Sequence, residues 1–230
     1  MSTPDRVTLA STAQVCVDGG AEDRASSTIR VAETIELTAV FEPHVNVVVL
    51  ERSGQPALRR YADRVARETT LAFTTTAAFA EEDGLDGLDA LTKLLPADDA
   101  RDVLLQDIAY WIEVLTELTG VHRVGVRLLQ LKRAMCPGFH VDRVPLRLVC
   151  TYHGPTSQWL LADAVDRSVL AGPRIPPEAI RRDAAIQSCA PLDVVLLKGS
   201  AWPGNALGGA VHRSPPSCEP RLLLTLDPLD

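Results

Sequence analysis

The sequence predicts an α+β fold in which helices of the N-terminal half support a β-rich C-terminal half. The 230 residues, 46% of them apolar and 23% charged, suffice for one domain with a substantial core. Apolar residues recur at helical spacing over 98–119. After Gly120 the segments become short, β-branched and punctuated by proline and glycine, as strands are. We therefore expect a single domain over 1–230, with helix-rich support at 31–120 and the β core at 121–230.

The N-terminal half predicts an arm, one strand and two helices. Residues 1–30 are rich in Ser, Thr, Ala, Asp and Gly without periodicity, so we expect an irregular arm there. The apolar run at 45–50 predicts a buried strand. Helices are predicted over 56–70 and 98–119, because apolar residues recur every three or four positions. The residues of these two stripes are Leu58, Tyr61, Ala62, Val65 and Ala66, and Leu104, Ile108, Trp111, Leu115 and Leu118.

The C-terminal half predicts six short strands separated by proline and glycine turns. Val124, Val126 and Leu128 alternate with polar residues, which is typical of a strand with one buried face. The strands are predicted at 122–133, 138–142, 145–153, 193–198, 208–213 and 221–227. Several short antiparallel strands imply a β-sandwich or a barrel.

Composition and missing motifs exclude several classes of function. The net charge of −7 argues against binding to nucleic acid or to an anionic membrane surface. No Gly-rich phosphate loop is present, so kinase, GTPase and dinucleotide-binding functions are set aside. The N-terminus lacks the pattern of a secretory signal, and no apolar run is as long as a membrane span. We expect a cytoplasmic protein that acts on an unidentified small molecule or peptide.

Two histidines and one aspartate form the candidate metal site. His140 and Asp142 lie two positions apart in a strand-like segment, so their side chains point to the same side. His212 would complete the set if its strand lies beside theirs. Two imidazoles with one carboxylate suit non-haem Fe(II) and leave coordination positions open. The plainer alternative is a polar pair at a strand end and an unrelated sheet histidine.

Arg221 is the candidate anion-binding residue. It precedes the apolar strand at 221–227, nine residues after His212, and a fixed guanidinium there can bind a carboxylate through two parallel hydrogen bonds. Tyr152 is a further candidate, since its hydroxyl can donate to a co-substrate carboxylate.

These motifs resemble two families. The order His140, Asp142, segment 193–202, His212 and Arg221 resembles the C-terminal core of Fe(II)/2-oxoglutarate-dependent oxygenases. That resemblance implies a double-stranded β-helix, a jelly-roll or cupin-like barrel, in which the triad holds iron and Arg221 binds 2-oxoglutarate. Its implied activity is hydroxylation or demethylation of a substrate.

The chain departs from the oxygenase pattern at one position and resembles a second family as well. Members often carry Ser or Thr two residues after the arginine, whereas this chain has Leu223, and the first hydroxyl on that face is Thr225. Segments 136–159 and 193–227 are also similar to DUF1826, a bacterial family of uncharacterised proteins.

The cysteines support a competing hypothesis. The chain has five cysteines and no CxxC pair, which favours neither a disulfide framework nor a zinc ribbon. Cys136 and Cys218 lie close in sequence to the two histidines, and a set of Cys136, His140, His212 and Cys218 would suit Zn(II). The protein would then be a metal-homeostasis protein on the same barrel, without turnover. A third possibility is a cupin-like isomerase or dioxygenase that needs a metal but no co-substrate.

Overall fold

Eleven strands and three α-helices make up the computed structural model, which describes residues 27–80, 84–170, 172–206 and 208–229. The strands are β1 (Ser27–Val31), β2 (Val45–Leu50), β3 (Ala72–Ala80), β4 (Gly84–Asp86), β5 (Arg123–Leu131), β6 (Leu146–His153), β7 (Gln158–Leu160), β8 (Ile186–Gln187), β9 (Val194–Lys198), β10 (His212–Arg213) and β11 (Arg221–Leu229). The α-helices are α1 (Pro56–Glu68), α2 (Asp89–Leu94) and α3 (Arg101–Thr119). A 3₁₀ helix (Thr34–Phe41) joins β1 to β2, and 3₁₀ turns of three residues each lie between β7 and β8.

Eight strands form one large, mostly antiparallel sheet in the order β1-β2-β9-β6-β11-β5-β3-β4. Among the strands of the described residues, only β1 and β2 pair in parallel. Four of the eight strands come from residues 27–86, so the sheet is not confined to the C-terminal half as we expected. The expected irregular arm at 1–30 is wrong for its last residues, because Ser27–Val31 pairs with β2. Residues 1–26 of that arm lie outside the described residues.

Two helices cover one face of the large sheet and confirm the predicted helices. Helix α1 begins with a proline, whose fixed φ suits the first helical position. Helix α3 ends at Gly120, which has a φ of 72° and so adopts the left-handed conformation that closes helices. The predicted apolar stripes face the sheet, and Leu58, Val65, Leu104 and Ile108 are fully buried against it. None of the helices among the described residues is both long and apolar enough to cross a membrane.

A small sheet faces the other side of the large one. Its strands follow the order β10-β7-β8. His140 forms one isolated bridge with His212 of β10 and another with Arg174, so the segments around His140 and Arg174 extend the sheet beyond β10. Trp159 and Ala210 of the small-sheet region pack on apolar residues of β2, β6, β9 and β11. The predicted strands at 138–142 and 208–213 are therefore shorter than expected. Asn205 N–H donates to the Trp202 carbonyl, Gly208 N–H donates to the Asn205 carbonyl, and Gly209 has a φ of 95°. The backbone before His212 is therefore turned rather than extended.

Strand alternation gives the large sheet two different faces. On β6, Leu148, Cys150 and Tyr152 pack towards the helices, whereas Val149 lies in the apolar cluster between the two sheets. The same alternation on β11 puts Leu222 and Leu224 towards the helices and Leu223 between the sheets. A group bound between the two sheets would therefore contact the side chains on the face of Val149 and Leu223.

Candidate metal centre

His140 and His212 lie side by side in the small sheet. Each backbone N–H donates to the other residue's carbonyl at 2.9 Å, and the ring centroids are 4.4 Å apart. The Nδ1 atom of each ring lies 3.0 Å from a backbone carbonyl, that of Gly138 for His140 and that of Ala210 for His212. A carbonyl only accepts, so both Nδ1 atoms carry a proton, and a neutral ring in this position has its lone pair on Nε2. This is the tautomer that a metal ligand needs.

Asp142 completes the cluster opposite the two Nε2 atoms. Its Oδ1 lies 3.6 Å from His140 Nε2, and its Oδ2 lies 3.3 Å from His212 Nε2. One ligand atom from each of the three residues falls within 4.8 Å of the others. No other group of three such ligands was found among the residues that the structure describes. The three residues that the sequence singled out thus come together from two parts of the chain.

A chain of charges reaches Asp142 from the large sheet. Arg147 Nη1 donates to Asp142 Oδ2 at 2.6 Å, while its Nε and Nη2 donate to the two oxygens of Asp227 at 2.6 and 2.9 Å. Burial alone would raise the pKa of Asp142, but His140, His212 and Arg147 together hold it well below its usual range. The same carboxylate raises the pKa of His140. Asp142 is therefore a carboxylate, and one of its oxygens is fixed by Arg147.

Arg221 lies at the start of β11, between the two sheets, and is only 4% exposed. Its Nη2 donates to Thr151 Oγ1 at 3.1 Å and to Ser157 Oγ at 2.8 Å. Its Nε is buried without a hydrogen-bond partner, and no carboxylate pairs with the guanidinium among the described residues. Burial lowers the pKa of Arg221 to about 10. A buried cation without an acidic partner is costly and is poised to receive an anion.

Tyr152 is not part of this site, which corrects one prediction. It follows Thr151 on β6 and therefore points to the opposite face of the sheet. There its hydroxyl donates to Asp107 Oδ2 of α3 at 2.8 Å, and burial raises its pKa. The hydroxyls that sequence analysis missed beside Arg221 are those of Thr151 and Ser157.

The zinc set that includes the cysteines is not assembled. Cys136 and Cys218 are both exposed, and neither thiol belongs to the cluster of His140, Asp142 and His212. The structure therefore does not bring the two thiols together with the two histidines. Sequence spacing suggested it, but spacing does not define which way a loop side chain points.

Leu223 and Thr225, which stand where the sequence departs from the oxygenase pattern, have other contacts than Arg221. Leu223 joins the apolar cluster between the sheets, and Thr225 Oγ1 accepts a hydrogen bond from Arg127 Nε at 3.1 Å. Neither residue supplies a hydroxyl to Arg221. The hydroxyl that contacts Arg221 from the neighbouring strand is that of Thr151, and this contact follows from the pairing of β6 with β11.

A cavity of about 610 Å³ opens beside the cluster. His140 and Asp142 form part of its wall, together with Arg143 and Arg174. Its volume lies in the range of small-molecule binding sites. The candidate metal centre is thus reachable for a small molecule.

Comparison with known proteins identifies one family and one fold. The model of a family described as "Protein of unknown function (DUF1826)" matches residues 32–227. No sequence among the curated proteins matches the chain.

Among solved structures, the chain is similar to a dioxygenase for auxin oxidation from rice, with a TM-score of 0.50 and 14% identity over 88% of this chain and 82% of that one. It also matches the Fe(II)/α-ketoglutarate-dependent dioxygenase TqaL, with a TM-score of 0.48 and 14% identity over 84% and 86% of the two chains. A prolyl-4-hydroxylase from Pseudomonas putida matches with a TM-score of 0.43 and 14% identity over 85% and 97%. At this identity the rice dioxygenase shows a shared fold and nothing further.

Proposed function

Given that the chain belongs to the DUF1826 family, whose description names no activity, we propose from its site that it is an Fe(II)- and 2-oxoglutarate-dependent oxygenase that hydroxylates or demethylates a substrate. The observation that carries this proposal is the cluster of His140, Asp142 and His212, whose ligand atoms lie within 4.8 Å of one another. The two facing sheets would be the two layers of a double-stranded β-helix.

The donor set fits iron. Each histidine offers Nε2, because a backbone carbonyl engages its Nδ1. Asp142 offers Oδ1, because Arg147 binds its Oδ2. Two neutral imidazoles and one carboxylate oxygen suit Fe(II) better than Zn(II) with thiolates, and they leave coordination positions for other ligands. When bound, the iron together with 2-oxoglutarate would supply the oxygen chemistry.

Arg221 fits the distal carboxylate of 2-oxoglutarate. The buried guanidinium has an unpartnered Nε and no acidic partner among the described residues, so a carboxylate would satisfy both its charge and its donor. The hydroxyls of Thr151 and Ser157 hold Nη2 and so fix the plane of the guanidinium. Arg221 therefore selects and orients a dicarboxylate rather than taking part in bond breaking.

The apolar residues between the sheets would exclude water from the site. Val47, Val149, Val195 and Leu223 pack there with Trp159, and all are at most 4% exposed. A low dielectric strengthens the attraction between Arg221 and a bound carboxylate. It also protects a reactive centre from side reactions with solvent.

Anaerobic titration tests the proposal. Metal-free protein receives Fe(II) and then 2-oxoglutarate, and absorbance is followed for the weak visible band that appears when the keto acid chelates iron. We expect the band in the native protein and none in Asp142→Ala, which loses a metal ligand. In Arg221→Met, iron binding should persist while the affinity for 2-oxoglutarate falls about tenfold to a hundredfold, as expected for a lost hydrogen bond between charged groups.

The stability of Arg221→Met shows whether this variant still folds. Arg221→Met replaces a buried, unpaired charge with an apolar side chain, so we expect the free energy of unfolding to rise by about 1–3 kcal/mol in a urea titration. Unchanged affinity for 2-oxoglutarate in this stable variant would remove Arg221 from the site. Failure of the native protein to retain Fe(II) would overturn the proposed function.

A further inference from the structure

Arg174 lies in one row with the two histidines of the metal centre. His140 pairs with His212 on one side and with Arg174 on the other, both in antiparallel fashion. Val141 N–H donates to the Pro173 carbonyl at 2.8 Å, and Ile175 N–H donates to the Phe139 carbonyl at 2.9 Å. These two hydrogen bonds place Arg174 directly opposite His140. Residues directly opposite in an antiparallel pair point to the same face. Arg174 therefore projects from the face that carries both imidazoles.

Arg174 and Arg221 flank the metal centre from opposite sides. Arg221 binds Ser157, which immediately precedes β7, whereas Arg174 lies beyond β10 and His140 in the same sheet. Neighbouring strands are roughly 4.8 Å apart, so about three strand spacings separate β7 from Arg174. An anion held by Arg221 leaves the Arg174 side free for a second molecule.

The cavity beside the cluster has a cationic wall. Arg143 and Arg174 line it, and Asp142 is its only acidic lining residue among those the structure describes. Met135 and Ile175 add apolar surface. A second cavity of about 290 Å³ shares Arg143. The positive charge of this wall contrasts with the net charge of the whole protein, which is −7.

Neither of the two lining arginines is engaged within the protein. Arg143 and Arg174 are exposed, and their side chains make no hydrogen bond or ion pair with any described residue. Many other arginines do have partners, such as Arg30, Arg64 and Arg127. An unpaired guanidinium that projects beside a metal centre is suited to bidentate binding of an oxyanion.

We infer that this cavity binds the oxyanion of a small organic acid, a carboxylate or a phosphate, with Arg174 as the main binding residue and Arg143 at the rim. That this acid is the substrate rests on the proposed function. Its apolar part would lie along the exposed side chain of Met135, and its charged end would be held on the flank opposite Arg221. The cavity volume limits it to a small molecule.

Matched probes test this inference. Protein loaded with Mn(II) and saturated with 2-oxoglutarate is titrated with benzoate, phenyl phosphate and benzamide, and calorimetry gives the affinities. Broadening of the probe's NMR lines by Mn(II) reports whether it binds beside the metal. We expect at least one anion to bind about tenfold or more tightly than benzamide and to be broadened. The stronger of benzoate and phenyl phosphate identifies the oxyanion.

Two arginine variants supply the comparison. In Arg174→Gln the affinity for the preferred anion should fall about tenfold to a hundredfold, while the affinities for benzamide and 2-oxoglutarate stay unchanged. Arg182→Gln is the matched control, since Arg182 is exposed on the same connection but lines neither cavity. Equal binding of all three probes, no detectable binding of either anion, or a preference that survives in Arg174→Gln would overturn the inference.

Repeating the titration on metal-free protein without 2-oxoglutarate separates the two claims. If the anion preference and its dependence on Arg174 persist while Fe(II) or 2-oxoglutarate does not bind, the proposed function fails and the anion site stands. If metal and 2-oxoglutarate bind as expected but no anion is preferred, the inference fails alone.

Discussion

Arg147 is the residue that balances the carboxylate charge of the candidate metal centre. Its side chain lies between two carboxylates, that of Asp142 beside the histidines and that of Asp227 on β11. Long charged side chains usually reach outward along a surface, so the residue type alone would favour an exposed position for Arg147. In the structure its side chain is only 18% exposed. The carboxylates of Asp142 and Asp227 stabilise the buried guanidinium.

The substitution Arg147→Met should therefore depend on metal. Removing one partner from a buried ion pair costs about 3 kcal/mol or more, because Asp142 is left without its cation. A divalent ion at the triad replaces that cation, so the loss in free energy of unfolding should be smaller with Mn(II) than without it. Urea titrations of the metal-free and Mn(II)-loaded protein measure the difference. Arg127→Met is the control, since Arg127 contacts Asp227 but not Asp142, and its loss should be the same in both states.

The alternation of side chains between the two faces of a strand decided which site residues could be predicted from the sequence. His140 and Asp142 were found because two positions in an extended segment share a side, and the structure brings them together with His212. The same alternation separates Thr151, which contacts Arg221, from its neighbour Tyr152, which contacts Asp107. Sequence shows that these two residues face opposite ways. It does not show which face meets the site, because that follows from the pairing of β6 with β11.

The contact between α3 and β6 gives a test of that separation. Asp107 on α3 accepts hydrogen bonds from Tyr152 at 2.8 Å and from Trp111 at 3.2 Å, and it pairs with Arg52. Tyr152→Phe should lower the free energy of unfolding by about 1–2 kcal/mol and leave 2-oxoglutarate affinity unchanged. Thr151→Val, on the other face, should weaken 2-oxoglutarate binding several-fold because Arg221 loses an acceptor. A weaker co-substrate affinity in Tyr152→Phe would return this residue to the site.

The segment that carries Asp142 is held by the end of β9. Ser200 N–H donates to the Asp142 carbonyl and Gly199 N–H to that of Pro145, both at 2.9 Å. A Cβ on Gly199 would collide with the Val144 carbonyl and approach that of Asp142 to 2.7 Å. Gly199→Ala should thus displace Asp142.

We expect Mn(II) affinity to fall about tenfold or more in Gly199→Ala, as it does when other supporting contacts of metal ligands are lost. Calorimetric titration measures this affinity. Gly172→Ala serves as the control, because a Cβ there meets nothing within 4 Å. An unchanged affinity in Gly199→Ala would mean that the segment adapts without moving its carboxylate.

Strands with a strong apolar pattern were predictable, whereas the partners of short segments were not. The predicted strand at 145–153 appears as β6, and that at 221–227 as β11. Strand β3 was missed because its run of threonines and alanines has little apolar contrast. The small sheet has strands of only two or three residues, and distant pairs such as His212 with Trp159 define it. Local patterns carry no information about such pairs.

At the level of the whole molecule, the candidate metal centre joins parts of the chain that are far apart in sequence. His140 and Asp142 precede β6, whereas His212 follows β9, and both strands belong to the large sheet. A metal bound to all three residues connects the loop before β6 to the loop after β9. Because the unfolded chain cannot present the three ligands together, binding adds to the free energy of folding.

Metal should therefore stabilise the entire fold through the triad and not through the cysteines. At a free Mn(II) concentration of 100 times the dissociation constant, the free energy of unfolding should rise by about 2.7 kcal/mol. Urea titrations with and without Mn(II) measure this rise. It should vanish in Asp142→Ala and persist in the double variant Cys136→Ser, Cys218→Ser, since both thiols lie outside the cluster. If Zn(II) stabilises the native protein and the double variant loses that gain, the thiols are ligands after all and the oxygenase proposal gives way to a zinc protein.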